Sequence, residues 1–320
     1  MITRLLNFFP PHEEALLAAV DVIHAGGLVA FPTETVYGLG ADALNPSAVR
    51  RIFAAKGRPS TNPLIVHIAD VSQVKRVAAD WPEAAVLLAA KFWPGPLTIV
   101  VPKHERVPEA VTAGGPTVAV RCPSSPFARA LLAAVGVPLA APSANRSGEL
   151  SPTTARHVMK SLANEVEIVL DGGPCGGGIE STVIDVSRFP YRLLRPGLVS
   201  LEALERILGP IESSGSVAAG EVLSSPGMLA RHYAPRTPLE LFPTEADLWR
   251  RLTELDGTRA FVLKLPDSPE RVSTMLYHEL HRLDDHGYDR VLVVLPPDAP
   301  EWLAVRDRLL RAATPDEPNA

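Results

Sequence analysis

Along about the first two hundred positions, apolar residues recur with two alternating periods. Leu16, Ala19, Val20 and Ile23 fall on one face at helical spacing and predict a helix over 13–25 that stops at Gly26-Gly27. The short apolar run 28–31 predicts a strand. Asn45 followed by Pro46 predicts a capped helix ending at Lys56-Gly57-Arg58, with Gly57 as its left-handed cap, and 64–68 a second strand. Further helices are predicted near 71–79 and 82–92 and over 126–135 and 152–162. Strands are predicted over 97–101, 118–120, 138–141, 166–170, 182–186 and 191–194. Crossover helices among closely spaced strands imply a mixed, twisted sheet. Between 210 and 237 the pattern lapses into Gly, Ser, Ala and Pro, the composition of a linker. It then restarts with strands at 239–242, 260–265 and 290–295 and helices at 245–254, near 269–281 and at 299–312. Three βα pairs in about 80 residues predict a small doubly wound, Rossmann-like α/β domain. The organisation expected is 1–209, a linker or lid at 210–237, and 238–320.

Composition narrows the classes. With 46% hydrophobic and 21% charged residues, disordered and fibrous chains are excluded. A net charge of −5 supplies no global basic field, so nucleic acid would need a local patch. Cys122 and Cys175 are too few for a disulfide framework or a thiolate metal site. No stretch of about 18 apolar residues occurs, and a soluble, cytoplasmic protein with no membrane partner is expected.

Candidate chemistry gathers where predicted strands end in polar residues and Gly or Pro: Lys56-Gly57-Arg58, Thr117 to Arg121, Ala141 to Asn145, Asp171 through Gly178 to Thr182, and Leu194-Arg195-Pro196-Gly197. In open α/β sheets ligands sit at such ends. Lys56, Arg58, Arg121 and Arg195 together point to a phosphate or carboxylate guest, since Lys supplies a compact charge and Arg a planar fork. Taken singly, each piece has a plainer reading. Lys56 and Arg58 alone read as an exposed helix end, Ser143 and Asn145 as turn formers, and His67 as a satisfied core histidine. No phosphate loop is present, and Gly38-Leu39-Gly40 lacks the acidic partner of a dinucleotide fingerprint. His278, His281 and His286 beside Asp284 and Asp285 read as a solvated helix end.

The ordered motifs PTETVYGLG (32–40), KGR followed by NPL and His67, WPGPLT (93–98), TVAVR (117–121), APSAN (141–145), ESTV (180–183), LLRPG (193–197) and PGM with HYAP (226–235) resemble the threonylcarbamoyl-AMP synthases in their long, two-domain form. The resemblance implies a YrdC-like N-terminal domain whose twisted mixed sheet and helices surround a concave site. It implies that L-threonine, bicarbonate and ATP, with Mg²⁺, give threonylcarbamoyl-AMP and pyrophosphate, the first step of tRNA threonylcarbamoyladenosine modification. A tRNA threonylcarbamoyl-transferase complex would be the downstream partner, with direct tRNA contact left open. Under it Thr35, His67, Arg121, Ala141 and Ser181 match L-threonine positions. Arg58, Asn62, Thr117, Ser143, Asn145, Ser151 and Arg195 match nucleotide positions, joined by His232 and Tyr233 as a lid. Lys56 and Arg58 match catalytic positions, and no metal ligand is assigned to a side chain. Cys175 to Gly178 is richer in glycine than the family pattern. Two readings compete: a nucleic-acid-binding module, disfavoured by the acidic balance and 6% aromatic content, and a hydrogenase-maturation carbamoyltransferase, disfavoured by the scarcity of cysteine.

Overall fold

In the computed structural model, residues 2–9, 12–213 and 233–314 are described. The helix expected after Asn45 forms at Pro46–Lys56. The Asn45 side chain accepts from Ser47 N and Ala48 N, Pro46 fills the first turn, and Gly57 closes the helix at φ 59°. Strands β1 (Arg4–Asn7), β2 (Val29–Phe31), β3 (Gly38–Asp42), β4 (Ile65–His67), β5 (Leu97–Pro102), β6 (Thr117–Arg121), β7 (Leu139–Ala140), β8 (Ile168–Asp171), β9 (Thr182–Asp185), β10 (Arg192–Arg195) and β11 (Glu212–Ser213) form one sheet. Its order is β1, β8, β2, β3, β7, β4, β6, β5, β9, β10, β11. The sheet is mixed: β4 runs parallel to β6 and β5 to β9, while β2 with β3 and β5 with β6 are antiparallel. Apolar clusters cover both faces. One gathers Leu39, Ile52, Leu88, Val101 and Val158, the other Phe31, Leu131, Leu132 and Ile168.

The structure departs from the periodicity at several places. The segment expected as helix near 71–79 is a 3-10 turn at Val71–Arg76. Strand β3 was not expected, because two glycines in five residues argue against a strand. Gly40 is required there: a Cβ would stand 2.8 Å from the Phe31 ring on β2. Strand β1 and the helix Leu201–Leu208 were also not anticipated.

The trailing unit is a parallel sheet of β12 (Leu239–Phe242), β13 (Ala260–Val262) and β14 (Arg290–Val294), with β14 central. Helices Glu245–Glu254, Pro269–His286 and Leu303–Ala312 accompany it. Its apolar core also takes in Val36, Leu150, Ile179 and Tyr233, so it packs directly on loops of the large sheet. Among the described residues no helix is long and apolar enough to cross a membrane.

Candidate active site

Strand register builds the floor of the site. His67 on β4 lies opposite Arg121 on β6, Arg121 opposite Thr98 on β5, and Thr98 opposite Val183 on β9. Side chains in one such row share a face of the sheet. Above the row a small cleft is lined by Thr33, Thr35, Arg58, His67, Arg121, Ala141, Ser143, Glu180, Ser181, Arg195 and Tyr233, among others. Residues separated by more than a hundred positions therefore meet here.

Arg121 gives Nη2 to Glu34 Oε1 at 2.7 Å and Nη1 to Thr35 Oγ1 at 3.0 Å. Burial alone would raise the Glu34 carboxyl, but the Arg121 charge and hydrogen bond hold it below its ordinary value. Thr35 shares a 2.9 Å contact with the Thr33 hydroxyl. Arg195, at the end of β10, donates Nε and Nη2 to Ser181 O at 3.1 and 3.0 Å, and Nη1 to the Tyr233 hydroxyl at 3.4 Å. The Ser181 hydroxyl also meets Thr98 Oγ1 at 2.8 Å. Arg58 donates to Asn62 O at 3.1 Å and Pro63 O at 2.8 Å. Burial, reinforced by Arg195 and opposed by Tyr233, brings the Arg58 guanidinium down to about 10. His67 is held at about 3, first by burial and then by Arg121, so its ring is neutral at neutral pH. Its Nδ1 is buried and meets no hydrogen-bond partner at normal geometry among the described residues.

Lys56, Asn62, Thr117, Asn145 and Ser151 lie beside the cleft rather than in its lining. Lys56 and Arg58 are not an exposed helix end, being 2% and 7% exposed. Lys56 Nζ donates to Ser143 O at 2.6 Å and to Asn145 O, underpinning the loop that carries Ser143. Its ammonium is pushed well below the ordinary lysine value, by burial first and Arg58 second. Asn145 Nδ2 binds Arg146 O and Glu149 O within the same loop. Ser151 donates to Glu180 Oε1 at 2.5 Å. Thr117 opens β6, four residues before Arg121, roughly 13 Å along the strand. Extending the β4 and β6 register brings it level with Pro63, next to Asn62, whose buried amide has no partner among the described residues. His232 lies outside the described residues. Tyr233 is 1% exposed at φ 63°, a strained value for a bulky side chain, and Ala234 N is anchored on Gly148 O.

Sequence reasoning gave no role to Glu34, Glu180 or Arg308. Glu180 was visible as the acid of ESTV at a strand end, and Glu34 as the acid inside PTET. Arg308 carried a subtler signal, standing at helical spacing between Val305 and Ala312 on the stripe that the helix buries. The glycine-rich loop has a steric cause. Gly177 N and Gly178 N bond Glu34 O and Thr35 O, and a Cβ at Gly178 would stand 2.6 Å from the Thr274 backbone. The solvated-helix-end reading is corrected for two residues: His281 is buried and stacked on His157 at 3.9 Å, and Asp284 accepts from Arg236 N and Thr237 N. Its charges face the neighbouring unit, which helical spacing alone does not reveal.

A mixed α/β sheet with a buried, arginine-rich cleft at its strand ends, and a trailing α/β unit packed on its loops, is the architecture of an α/β protein with a cationic cleft. Residues 21–197 match the Sua5, YciO and YrdC family profile, described as "Telomere recombination", and residues 199–314 match "Threonylcarbamoyl-AMP synthase, C-terminal domain". The threonylcarbamoyl-AMP synthase of Pyrococcus abyssi is 42% identical over 98% of both chains, and that of Bacillus subtilis 40% identical over 94% of both. The crystal structure of P. abyssi Sua5 complexed with L-threonine has a TM-score of 0.91 at 41% identity, covering 97% of this chain and 98% of that one. The chain belongs to the threonylcarbamoyl-AMP synthase family, enzymes that use ATP to make an adenylate intermediate.

Proposed function

We propose that this chain joins L-threonine, bicarbonate and ATP into threonylcarbamoyl-AMP, releasing pyrophosphate, with the cleft above the His67, Arg121 and Thr98 row as its active site. The observation that carries the reading is the charge of the lining: Arg58, Arg121 and Arg195 against one carboxylate, Glu180. A cation about 4 Å from a phosphate oxygen is worth roughly 4 kcal/mol at an effective dielectric near 20, before desolvation. The Arg121, Thr35, His67, Ala141 and Ser181 end takes threonine, its carboxylate meeting Arg121. Arg58, Ser143 and Arg195 take the phosphates. Asn62 and Thr117, about a strand length away, take the nucleoside end, where the unpartnered Asn62 amide gains a hydrogen-bonding ligand. Lys56, Asn145 and Ser151 act by supporting these walls.

In this reading the threonine amine attacks the bicarbonate carbon, a C–O bond breaks and the hydroxyl leaves as water with a proton from the amine, and an oxygen of the resulting carbamate then attacks the α-phosphorus as its bond to pyrophosphate breaks. Positioning and charge stabilisation by the arginines supply most of the catalysis. A neutral His67 accepts a hydrogen bond without adding to the positive charge. Among the described residues no side chains fit Mg²⁺ in this cleft. Glu180, the one carboxylate of the lining, is already engaged by Ser151, Tyr277 and Arg308, and the described residues hold no cluster of metal-ligating side chains. We assign the ion to the nucleotide. The product then passes to a tRNA threonylcarbamoyl-transferase complex.

The test follows AMP and pyrophosphate formation from ATP with threonine and bicarbonate each omitted in turn, and the mass of the adenylate. All three substrates should be required. Threonine-independent hydrolysis, or salt-sensitive RNA binding without turnover, would overturn the proposal.

A further inference from the structure

We propose that Arg308, on the last helix of the trailing unit, is a positioning residue that holds the phosphate side of the cleft in its binding geometry. This rests on the cleft assignment made above and adds to it a role for the C-terminal unit.

Arg308 is fully buried and reaches across the boundary between the two units. Nε donates to Glu180 Oε2 at 2.7 Å, and Nη2 to Pro196 O at 3.0 Å. Nη1 is held by Asp307 on its own helix at 2.5 Å, and the guanidinium carbon lies 5.1 Å from the centre of the Tyr233 ring. One planar fork thus touches three parts of the site: the carboxylate in the lining, the residue that follows Arg195, and the ring whose hydroxyl meets Arg195. The Glu180 carboxylate is completed by Ser151 at 2.5 Å and Tyr277 at 3.2 Å, so both its oxygens are oriented. Because Arg presents its donors in a rigid plane, fixing Glu180 and Pro196 O together fixes their separation, which a lysine cannot do. A buried ion pair is weak evidence for stability, since apolar substitutes often serve a fold as well, and its geometric role is the one to test. The units also meet elsewhere, where Thr274 Oγ1 donates to Gly176 O, so docking does not depend on Arg308 alone.

The experiment uses the full chain with Arg308→Lys, Arg308→Met and, as a control, Leu309→Ala. Leu309 is buried on the same helix and in the same apolar core, and its loss weakens that core while leaving the hydrogen bonds of Arg308 to Glu180 and Pro196 in place. KM for ATP, KM for threonine, kcat and thermal melting are measured for each. Arg308→Met should raise KM for ATP by about 10- to 100-fold and leave KM for threonine within about twofold. Leu309→Ala should lower the melting temperature with KM for ATP unchanged. If Arg308→Met does not fold, Arg308→Lys, which keeps the charge, carries the test, with an expected rise of about tenfold in KM for ATP. An unchanged KM for ATP in the folded Arg308 variants overturns the inference. So does an equal rise in Leu309→Ala, which would make Arg308 part of domain docking only. Failure of the wild-type chain to turn over ATP with threonine would instead strike the function proposal, so the two are separable.

Discussion

Gly197 follows the Arg195-Pro196 corner and lies flat against the backbone of Glu180 to Thr182, where β9 begins. A Cβ built on it would stand 2.6 Å from Ser181 C and 2.7 Å from Glu180 O, and closer still to Thr182 N. Carbon atoms pack favourably at about 3.5–4.0 Å, so Gly197→Ala demands a displacement of about 1 Å. All three obstructing atoms are backbone, and no rotamer change relieves them. The shift must move Glu180 and Ser181 away from Arg195, whose Nε and Nη2 both end on Ser181 O. Overpacking of this kind costs about 1–3 kcal/mol, which lowers melting by about 2–4 °C per kcal/mol in a domain of this size. The effect on turnover should be larger, because a 1 Å misplacement of binding groups costs about 10²-fold. Gly176→Ala is the matched control, since a Cβ there meets nothing within 4 Å. The assay is threonine-dependent AMP formation in bicarbonate buffer beside a thermal melt. A Gly197→Ala variant that turns over within about threefold of wild type, at an unchanged melting temperature, would refute the reasoning.

Arg58→Ala should abolish pyrophosphate release and also lower stability by about 1–3 kcal/mol, because Asn62 O and Pro63 O lose their buried donors; turnover near wild type would remove Arg58 from the site. Serine should be a slow substrate, about 10- to 200-fold below threonine for want of one methyl group, and valine should be rejected by as much as roughly 10⁴; valine matching serine in the AMP assay would overturn the threonine pocket. Acid should destabilise the chain below pH 6.5. Folded His67 and His157 sit at about 3 and His281 at about 4, so the unfolded chain alone takes up protons as pH falls towards those values. For His67 the loss by pH 5 is about 2 kcal/mol, and a melting temperature flat from pH 7 to 5 would contradict its burial as a neutral ring.

Local chemistry was written plainly in the chain. Asn45-Pro46 and Gly57 mark both ends of a helix because caps act through neighbouring residues alone, and the observed helix has those ends. The strand ends that carry Arg121, Ser143, Ser181 and Arg195 line one cleft, as loops at strand ends in α/β sheets do, and with Arg58 their arginines were legible as cations in want of an anion. What local pattern could not supply was the partner of each charge. Lys56 and Arg58 read as solvated because a helix end is usually exposed, yet the Ser143 loop folds over the one and the Asn62 turn over the other. Strand β3 was hidden by its glycines, whose reason is the Phe31 ring on the neighbouring strand. The pairing of Glu180 with Arg308 joins residues 128 positions apart, and the stacking of His281 on His157 likewise crosses between the two units. Both arise because the trailing unit has no complete core of its own and closes it with Val36, Leu150, Ile179 and Tyr233. Hydrophobic burial across that boundary brings the charges together, and only the assembled fold decides which of them face substrate and which face each other.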